Sequence, residues 1–405
     1  MSKSSIVSPG NLNSMGGVGL GSFAHVGRRT ISEVPSFRQN IYLAVEIGEV
    51  CQLKCKHCIY HNEDPLTARP NPQIDEWLDR TLEGGLDPIW VSFAGKEPSL
   101  FPQELILMAT KTKRPDRVNI LMSNGLKLMP PLIQQLAPLI DCFDISLDGD
   151  KAAHEWMRGE NSFDRIWNRL GDILCNSDSL VGIISTAVHA TLPDGRTQWQ
   201  GIVRLAHQLR DEFPFAERLS LSISLYYGHP TDPLLLRPED LTAILAELNT
   251  VDFPIRVLWT ANYAHLLPTV LRQLNWDLSN LEYDADTGLP ILRYGNLLLI
   301  LFNLSPVQQQ AFRIANDGSI YLGCNHLSLG EKANQYSLGT LETIDFADKT
   351  GDSRTASTAL QAAPRTTCGS CADWLVCRGG DVQSGTYFRG RAQDPYCPLL
   401  NPEAA

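Results

Sequence analysis

Short apolar runs alternate along the chain with segments in which apolar residues recur at spacings of three and four. The runs predict six strands, at residues 41–47, 89–93, 118–122, 142–147, 181–188 and 219–225. The segments between them predict helices at residues 72–82, 102–111, 130–136, 162–174 and 198–213. This alternation predicts an α/β fold, a partial TIM-like (β/α)6 barrel of parallel strands that is left open on one side.

The segments that flank this alternation show a different pattern. Residues 1–40 are rich in Ser, Gly and Asn and lack periodicity, which predicts a flexible N-terminal arm. The glycine cluster at residues 16–21 could cradle a phosphate only between a strand and a helix, and the pattern supplies neither. We assign residues 41–250 to the barrel, 251–310 to a connecting region and 311–405 to a small second domain, which begins with a hairpin at 312–321.

Composition and charge narrow the class of protein. With 405 residues, of which 43% are hydrophobic, the chain can build one large core and a smaller one. Its net charge of -11 disfavours nucleic acid as a partner. No apolar run approaches the ~18 residues of a membrane helix, and the N-terminus lacks a signal pattern. Ten cysteines in clustered spacings therefore predict metal ligation in a cytoplasmic, reducing compartment.

The most informative motif lies directly after the first predicted strand. Cys51, Cys55 and Cys58 form a CxxxCxxC triplet. Because a [4Fe-4S] cluster takes one cysteine per iron when fully ligated, three thiolates leave one iron open to bind something reactive. A zinc knuckle and a disulfide pair are the alternatives, and three close cysteines without a fourth nearby suit neither well.

This spacing, in the loop after the first strand of a partial barrel, resembles that of the radical S-adenosylmethionine (SAM) superfamily. The resemblance implies that the open iron chelates the amino and carboxylate groups of SAM. One electron, from an external donor of the flavodoxin or ferredoxin type, cleaves the sulfonium, and the resulting 5'-deoxyadenosyl radical abstracts a substrate hydrogen. The protein then has to position and shield the reactants, because the cofactor carries the difficult step.

A second motif follows the second predicted strand. The segment Gly95-Lys96-Glu97-Pro98 resembles the family's GGEP motif, whose backbone and acidic side chain meet the amino group of SAM. Lys96 stands where the family usually has glycine, so its side chain has to point away or pair with Glu97. The alternative interpretation is an ordinary turn between a strand and a helix.

Polar side chains also end the third and fourth predicted strands. Ser123 and Asn124, and after them Ser146 and Asp148, resemble family segments that line the pocket for the ribose and methionine parts of SAM. Alone, the Asn-Gly and Asp-Gly pairs would be ordinary turns. Arg158 resembles an arginine of related peptide-modifying enzymes that holds a carboxylate in bidentate fashion. Its alternative is an exposed salt bridge.

Four further cysteines lie near the C-terminus: Cys368, Cys371, Cys377 and Cys397. Their pattern resembles the SPASM extension of radical SAM enzymes, which implies that they ligate an auxiliary [4Fe-4S] cluster. A structural zinc site is the alternative, because four thiolates also make a tetrahedral site.

The chain departs from that pattern at the second, inner auxiliary cluster of the full extension. Only Cys324 and Asp381 occupy its ligand positions, so we predict one auxiliary cluster and two clusters per chain in total. Cys324 is then either a hydrogen-atom donor to a substrate radical or a small buried side chain. Cys142 and Cys175 are expected to be core cysteines.

These observations lead to three functional hypotheses. The first is modification of a ribosomally synthesised precursor peptide by epimerisation, crosslinking, excision or thioether formation, with a separate protein recognising the leader peptide. The second is the same radical chemistry on a small molecule such as a sugar. The third is a non-catalytic electron carrier, against which the SAM-pocket motifs argue, because a carrier needs no open iron.

Overall fold

The computed structural model of this chain describes residues 42–48, 50–58, 70, 73–83, 88, 90–214, 217–228, 230–277, 281–283, 290–301, 311–315, 318–322, 337–340, 371 and 397. The predicted turn at 316–317, Cys324, Asp381 and the auxiliary cysteines Cys368 and Cys377 lie outside these residues.

Six parallel strands follow one another in chain order across the middle of one sheet. They are β1 (Tyr42–Glu46), β2 (Trp90–Ala94), β3 (Val118–Ser123), β4 (Cys142–Ser146), β5 (Leu180–Ala187) and β6 (Leu219–Leu225). Each pairs in parallel with the next, for example Leu43 with Val91. The α/β fold with a parallel sheet that the alternation predicted is therefore confirmed.

Among the described residues, six α-helices lie between these strands: α1 (Ile74–Glu83), α2 (Pro102–Thr112), α3 (Pro130–Leu136), α4 (Lys151–Arg158), α5 (Phe163–Asn176) and α6 (Gln198–Glu212). The pattern predicted all except α4, in which the buried positions are Ala153, His154 and Met157. The side chain of Asp150 caps it by accepting a hydrogen bond from the backbone of Ala153, and Gly159 ends it with a φ of 113°.

The sheet continues on both sides beyond the six central strands. After α7 (Pro238–Leu248), the strand β7 (Ile255–Trp259) pairs with β6; the helix α8 (Leu267–Leu274) follows. Three more strands extend this side, β8 (Leu281–Tyr283), β9 (Pro290–Tyr294) and β10 (Leu297–Leu301), with β10 parallel to β7. On the other side β11 (Ala311–Ile314) pairs in parallel with β1, and β12 (Ser319–Leu322) and β13 (Ser337–Thr340) follow antiparallel.

Side chains alternate between the two faces of the sheet, as the pleat requires. Leu43 and Val45 belong to the larger apolar core, which includes Leu78 and Leu105 from the surrounding helices. The neighbouring position Ala44 belongs to a smaller core on the other face, together with residues such as Trp90 and Ile120. The outer face thus supports the helices, and the inner face lines the space enclosed by the sheet.

The inner face also carries buried polar groups. Glu46 at the end of β1 forms a buried ion pair with Arg313 of β11. The carboxylate of Asp144 lies over Gly182 of the next strand, where an added Cβ would be 2.2 Å from Oδ1. Glycine at this position therefore makes room for a buried acid.

Candidate functional site

The sequence-predicted motif loops meet at the carboxyl ends of β1 to β4. In the register of the sheet, Glu46 at the end of β1 pairs with Ala94 at the end of β2, so the loops that follow start level with each other. Gly95 has a φ of +101°, and a Cβ there would be 3.3 Å from the side chain of Glu46. Ligands of parallel α/β sheets gather at this edge.

Glu97 connects the ends of two neighbouring strands. It is buried, and its carboxylate accepts hydrogen bonds from the Ser123 hydroxyl at 2.7 Å and the Asn124 backbone N–H at 2.8 Å. The backbone N–H of Ser99 donates to the same carboxylate at 3.1 Å and starts the short turn Pro98–Leu100. Burial raises the pKa of Glu97, although these hydrogen bonds oppose the rise. Lys96 beside it is partly exposed.

The cysteine loop contacts the end of β3. The side-chain amide of Asn124 donates to the Cys51 sulfur at 3.5 Å and accepts from the Gln52 amide at 3.0 Å. The backbone N–H of Leu53 also points at the Cys51 sulfur, at 3.4 Å. Cys51 and Cys55 are partly buried, while Cys58 is exposed. The side of the loop that carries Cys51 is therefore fixed by groups that donate to its sulfur.

The opposite side of the loop contacts helix α4. The backbone N–H of Lys56 donates to the Met157 carbonyl at 2.9 Å, and the Lys56 ammonium lies 3.9 Å above the centre of the Trp156 ring. One guanidinium nitrogen of Arg158 lies 3.9 Å from the Cys55 sulfur. Consecutive residues of α4 thus hold consecutive residues of the cysteine loop.

Asp148 is the buried counter-charge of Arg158. Its fully buried carboxylate accepts from Arg158 Nε at 2.6 Å and from the Thr186 backbone N–H at 2.7 Å. Burial alone would raise the pKa of Asp148, but Arg158 and the nearby histidines hold it below its usual value. His57 Nδ1 lies 3.7 Å from this carboxylate, and burial lowers the pKa of His57 to about 4.

His154, on α4, supports the backbone of the same residue. Its Nδ1 accepts from the Asp148 backbone N–H at 3.1 Å, and burial lowers its pKa to about 3. The imidazole is therefore neutral, which its role as an acceptor requires.

The donor set of the cysteine loop fits a cluster with one open iron. Burial raises the pKa of Cys55 to about 12, against the effect of Arg158, and Asp148 and the other two sulfurs raise it further, so this thiol needs a bound cation to ionise. In the described part of the chain, no three His, Cys, Asp or Glu side chains converge on a site for a single metal ion. A cubane does not require such convergence, because its cysteines bind different irons.

Comparison with known proteins agrees with this geometry. Residues 45–173 match the sequence profile described as the Radical SAM superfamily. The chain carries a radical SAM domain, and it is an enzyme. No curated protein matches the chain in sequence. Among the described helices, none is long and apolar enough to cross a membrane.

Solved structures share the fold of this chain at low sequence identity. The anSMEcpe protein with bound AdoMet is 16% identical, with a TM-score of 0.57, covering 89% of this chain and 98% of that one. The SuiB protein of Streptococcus suis, bound to the precursor peptide SuiA, is 16% identical, with a TM-score of 0.58, covering 85% of this chain and 72% of that one. A structure of anSMEcpe with AdoMet and the Cp18Cys peptide gives 0.55 at 16% identity, covering 89% and 98%.

Most of the sequence-predicted SAM-pocket residues are brought to one edge of the sheet. Ser146 ends β4 and is half-buried, and the buried carboxylate of Asp148 pairs with Arg158. Of the auxiliary cysteines, Cys371 and Cys397 are described, and both are partly buried. Cys142 is buried in the core, as predicted, whereas the prediction of a core cysteine is wrong for Cys175, which is exposed on α5.

Sequence reasoning missed Gln52, His57 and Trp156. Gln52 and His57 lie inside the cysteine loop, so their positions next to Cys51 and Cys58 in the sequence could have identified them as site residues. Trp156 gave no such signal, because its contact with Lys56 exists only when α4 packs against the loop.

Proposed function

We infer that this enzyme uses a SAM-bound [4Fe-4S] cluster to abstract hydrogen from an unactivated C–H bond of a ribosomally synthesised precursor peptide. The observation that carries this proposal is the position of the cysteine loop, held between Asn124 on one side and α4 on the other. Peptide substrates are favoured because SuiB and anSMEcpe were crystallised with peptides and share the fold of this chain.

The residues of this chain have separable tasks in the proposal. Cys51, Cys55 and Cys58 hold the cluster, and Gly95 to Pro98, Ser123, Asn124, Ser146, Asp148 and Arg158 surround SAM. When bound, the cluster supplies the electron that cleaves SAM to methionine and the hydrogen-abstracting radical. The buried carboxylate of Glu97 keeps the ends of β2 and β3 together beside this site.

The remaining parts of the proposal concern the C-terminal cysteines and the partners. Cys368, Cys371, Cys377 and Cys397 bind one auxiliary [4Fe-4S] cluster, and Cys324 donates hydrogen to the substrate radical. A flavodoxin or ferredoxin supplies electrons, and a separate protein recognises the leader peptide. Both clusters require a reducing compartment, as in the cytoplasm.

Anaerobic reconstitution with iron, sulfide, dithionite and SAM tests the radical chemistry. We expect 5'-deoxyadenosine and methionine to form in equal amounts, and none above background from a Cys55→Ala variant. Replacement of the exposed Cys175 by alanine is the matched control, since that cysteine lies on α5. A wild-type chain that keeps its iron but forms no 5'-deoxyadenosine would count decisively against a radical enzyme.

The substrate class needs a second experiment. Short reading frames beside the gene are co-expressed with it, and the masses of the peptides that they encode are measured by mass spectrometry. A mass change that depends on Cys55 supports a peptide substrate. Active SAM cleavage without modification of any neighbouring peptide would favour a small-molecule substrate such as a sugar.

A further inference from the structure

The guanidinium of Arg158 is held beside a cluster ligand by a built arrangement of buried groups. Its Nη1 lies 3.9 Å from the Cys55 sulfur, and its Nε donates to Asp148 at 2.6 Å. The side chains of Arg158 and Asp148 are 10% and 0% exposed. Solvent therefore screens this pair weakly, and its field acts on the sulfur over a short distance.

Hydrogen bonds within the protein set the orientation of the pair. Three hydrogen bonds between backbone and side-chain groups fix Asp148: its carboxylate accepts from the Thr186 backbone N–H at 2.7 Å, its backbone N–H donates to His154 Nδ1 at 3.1 Å, and its backbone carbonyl accepts from the Gln198 side-chain amide at 3.0 Å. With the carboxylate fixed, the guanidinium is the end of the pair that faces Cys55. The sulfur therefore experiences the positive end of a buried dipole.

We propose that Arg158 and Asp148 together set the reduction potential of the cluster bound by Cys55, with the cation raising it and the carboxylate limiting the rise. The reduction potentials of iron-sulfur clusters depend on net charge, on hydrogen bonds to the sulfurs and on solvent exposure. A cation beside a ligand sulfur stabilises the reduced cluster, which carries one more negative charge. This role is separate from any contact of Arg158 with SAM, and it rests on the cluster that the proposed function requires.

The test is a potentiometric titration of the full-length reconstituted protein, followed by electron paramagnetic resonance in the absence of SAM. The signal of the open-iron cluster is identified beforehand as the one that changes when SAM is added. For Arg158→Gln, the ratio of reduced to oxidised cluster at a given potential should fall about tenfold, which is about 59 mV for one electron. Arg158→Lys, which keeps the charge, should shift the midpoint less.

Asp148→Asn gives the decisive comparison, because removing the counter-charge should move the midpoint to a more positive potential. A purely structural role would not give opposite signs at Arg158 and Asp148. Lys151→Gln is the matched control, since this lysine lies on the same helix and pairs with Asp164 at the exposed surface. Its midpoint should equal that of the unsubstituted protein.

Shifts in the same direction for Arg158→Gln and Asp148→Asn, or midpoints unchanged in both, would overturn the proposal. If Arg158→Gln fails to retain iron, the midpoint of Asp148→Asn is compared with that of the Lys151→Gln control. Anything other than a more positive midpoint for Asp148→Asn then overturns the proposal. An unsubstituted protein with no SAM-responsive signal would contradict the proposed function itself, whereas a normal signal with unchanged midpoints contradicts only the role of Arg158.

Discussion

The hydroxyl of Ser123, at the end of β3, donates a hydrogen bond of 2.7 Å to the carboxylate of Glu97, which follows β2. The same carboxylate accepts from the backbone of Asn124, whose side chain donates to the Cys51 sulfur at 3.5 Å. One buried acid thus connects two strand ends to the cysteine loop. Its position in the site depends on these internal contacts as well as on any contact with SAM.

Replacing Glu97 by alanine should destabilise the domain and lower its iron content. The change leaves the Ser123 hydroxyl and the Asn124 N–H buried without their acceptor, at about 1–3 kcal/mol each. Thermal unfolding under anaerobic conditions and iron analysis measure the effect. Glu104→Ala, in the first turn of α2, is the control. Equal unfolding temperatures for the two variants would show that Glu97 is not structural.

The stability of the protein should depend on the protonation of Asp144. Burial raises the pKa of this carboxyl from 3.8 to about 7, and its Oδ2 has no hydrogen-bond partner among the described residues. Between these two pH values the folded state therefore binds more protons at Asp144 than the unfolded state does. The contribution of protonated Asp144 to the free energy of unfolding is complete below about pH 3.8 and is lost as the pH rises through about 7.

Asp144→Asn should remove this part of the pH dependence, because the amide does not ionise. The measurement is the unfolding midpoint of both proteins between pH 5 and 8.5. The difference between variant and unsubstituted protein should grow in favour of the variant as the pH rises. A constant difference across this range would mean that Asp144 does not titrate there.

Gly182→Ala should destabilise the barrel by about 1–3 kcal/mol, since the added Cβ would lie 2.2 Å from Asp144 Oδ1. In an Asp144→Ala background the clash disappears, so the same substitution should cost much less. A double-mutant cycle of unfolding free energies measures this coupling. Gly171→Ala is the matched control in α5, where a Cβ meets nothing within 4 Å, and it should stabilise by about 1 kcal/mol. Additive effects of the Gly182 and Asp144 substitutions would contradict the contact.

Cys371→Ala should lower the iron content from about eight to about four atoms per chain, because the auxiliary cluster loses a ligand. Iron and zinc are measured together on protein reconstituted anaerobically. Cys142→Ala, which removes a buried core thiol, should keep about eight irons. About four irons and one zinc in the unsubstituted protein would show that these cysteines form a structural zinc site and not an auxiliary cluster.

Cys324→Ala tests the proposed hydrogen donor. If Cys324 returns hydrogen to a substrate radical, its loss should abolish epimerisation of a modified peptide while 5'-deoxyadenosine still forms. Chiral amino acid analysis of the product, with deuterium incorporation from D2O, provides the measurement. Unchanged product stereochemistry would remove this role.

Much of the fold and the composition of the site followed from local pattern. The alternation of apolar runs and amphipathic segments predicts the central strands, and CxxxCxxC places three thiols on one short loop. Both are short-range properties, because strand and helix periodicities and the reach of a loop involve only neighbouring residues. The short helix α4 escaped prediction because its buried positions are Ala153, His154 and Met157, which include only one large apolar side chain.

The contacts that distinguish this site were decided by tertiary structure. Asn124 reaches Cys51 across 73 positions, and Arg158 reaches Cys55 across 103. Periodicity does not encode which strands pair or where a helix lies relative to a distant loop. Both depend on the packing of the whole sheet. The sequence by itself determined that three cysteines follow the first strand. Only the folded chain decided that a buried cation and its carboxylate would stand beside one of them.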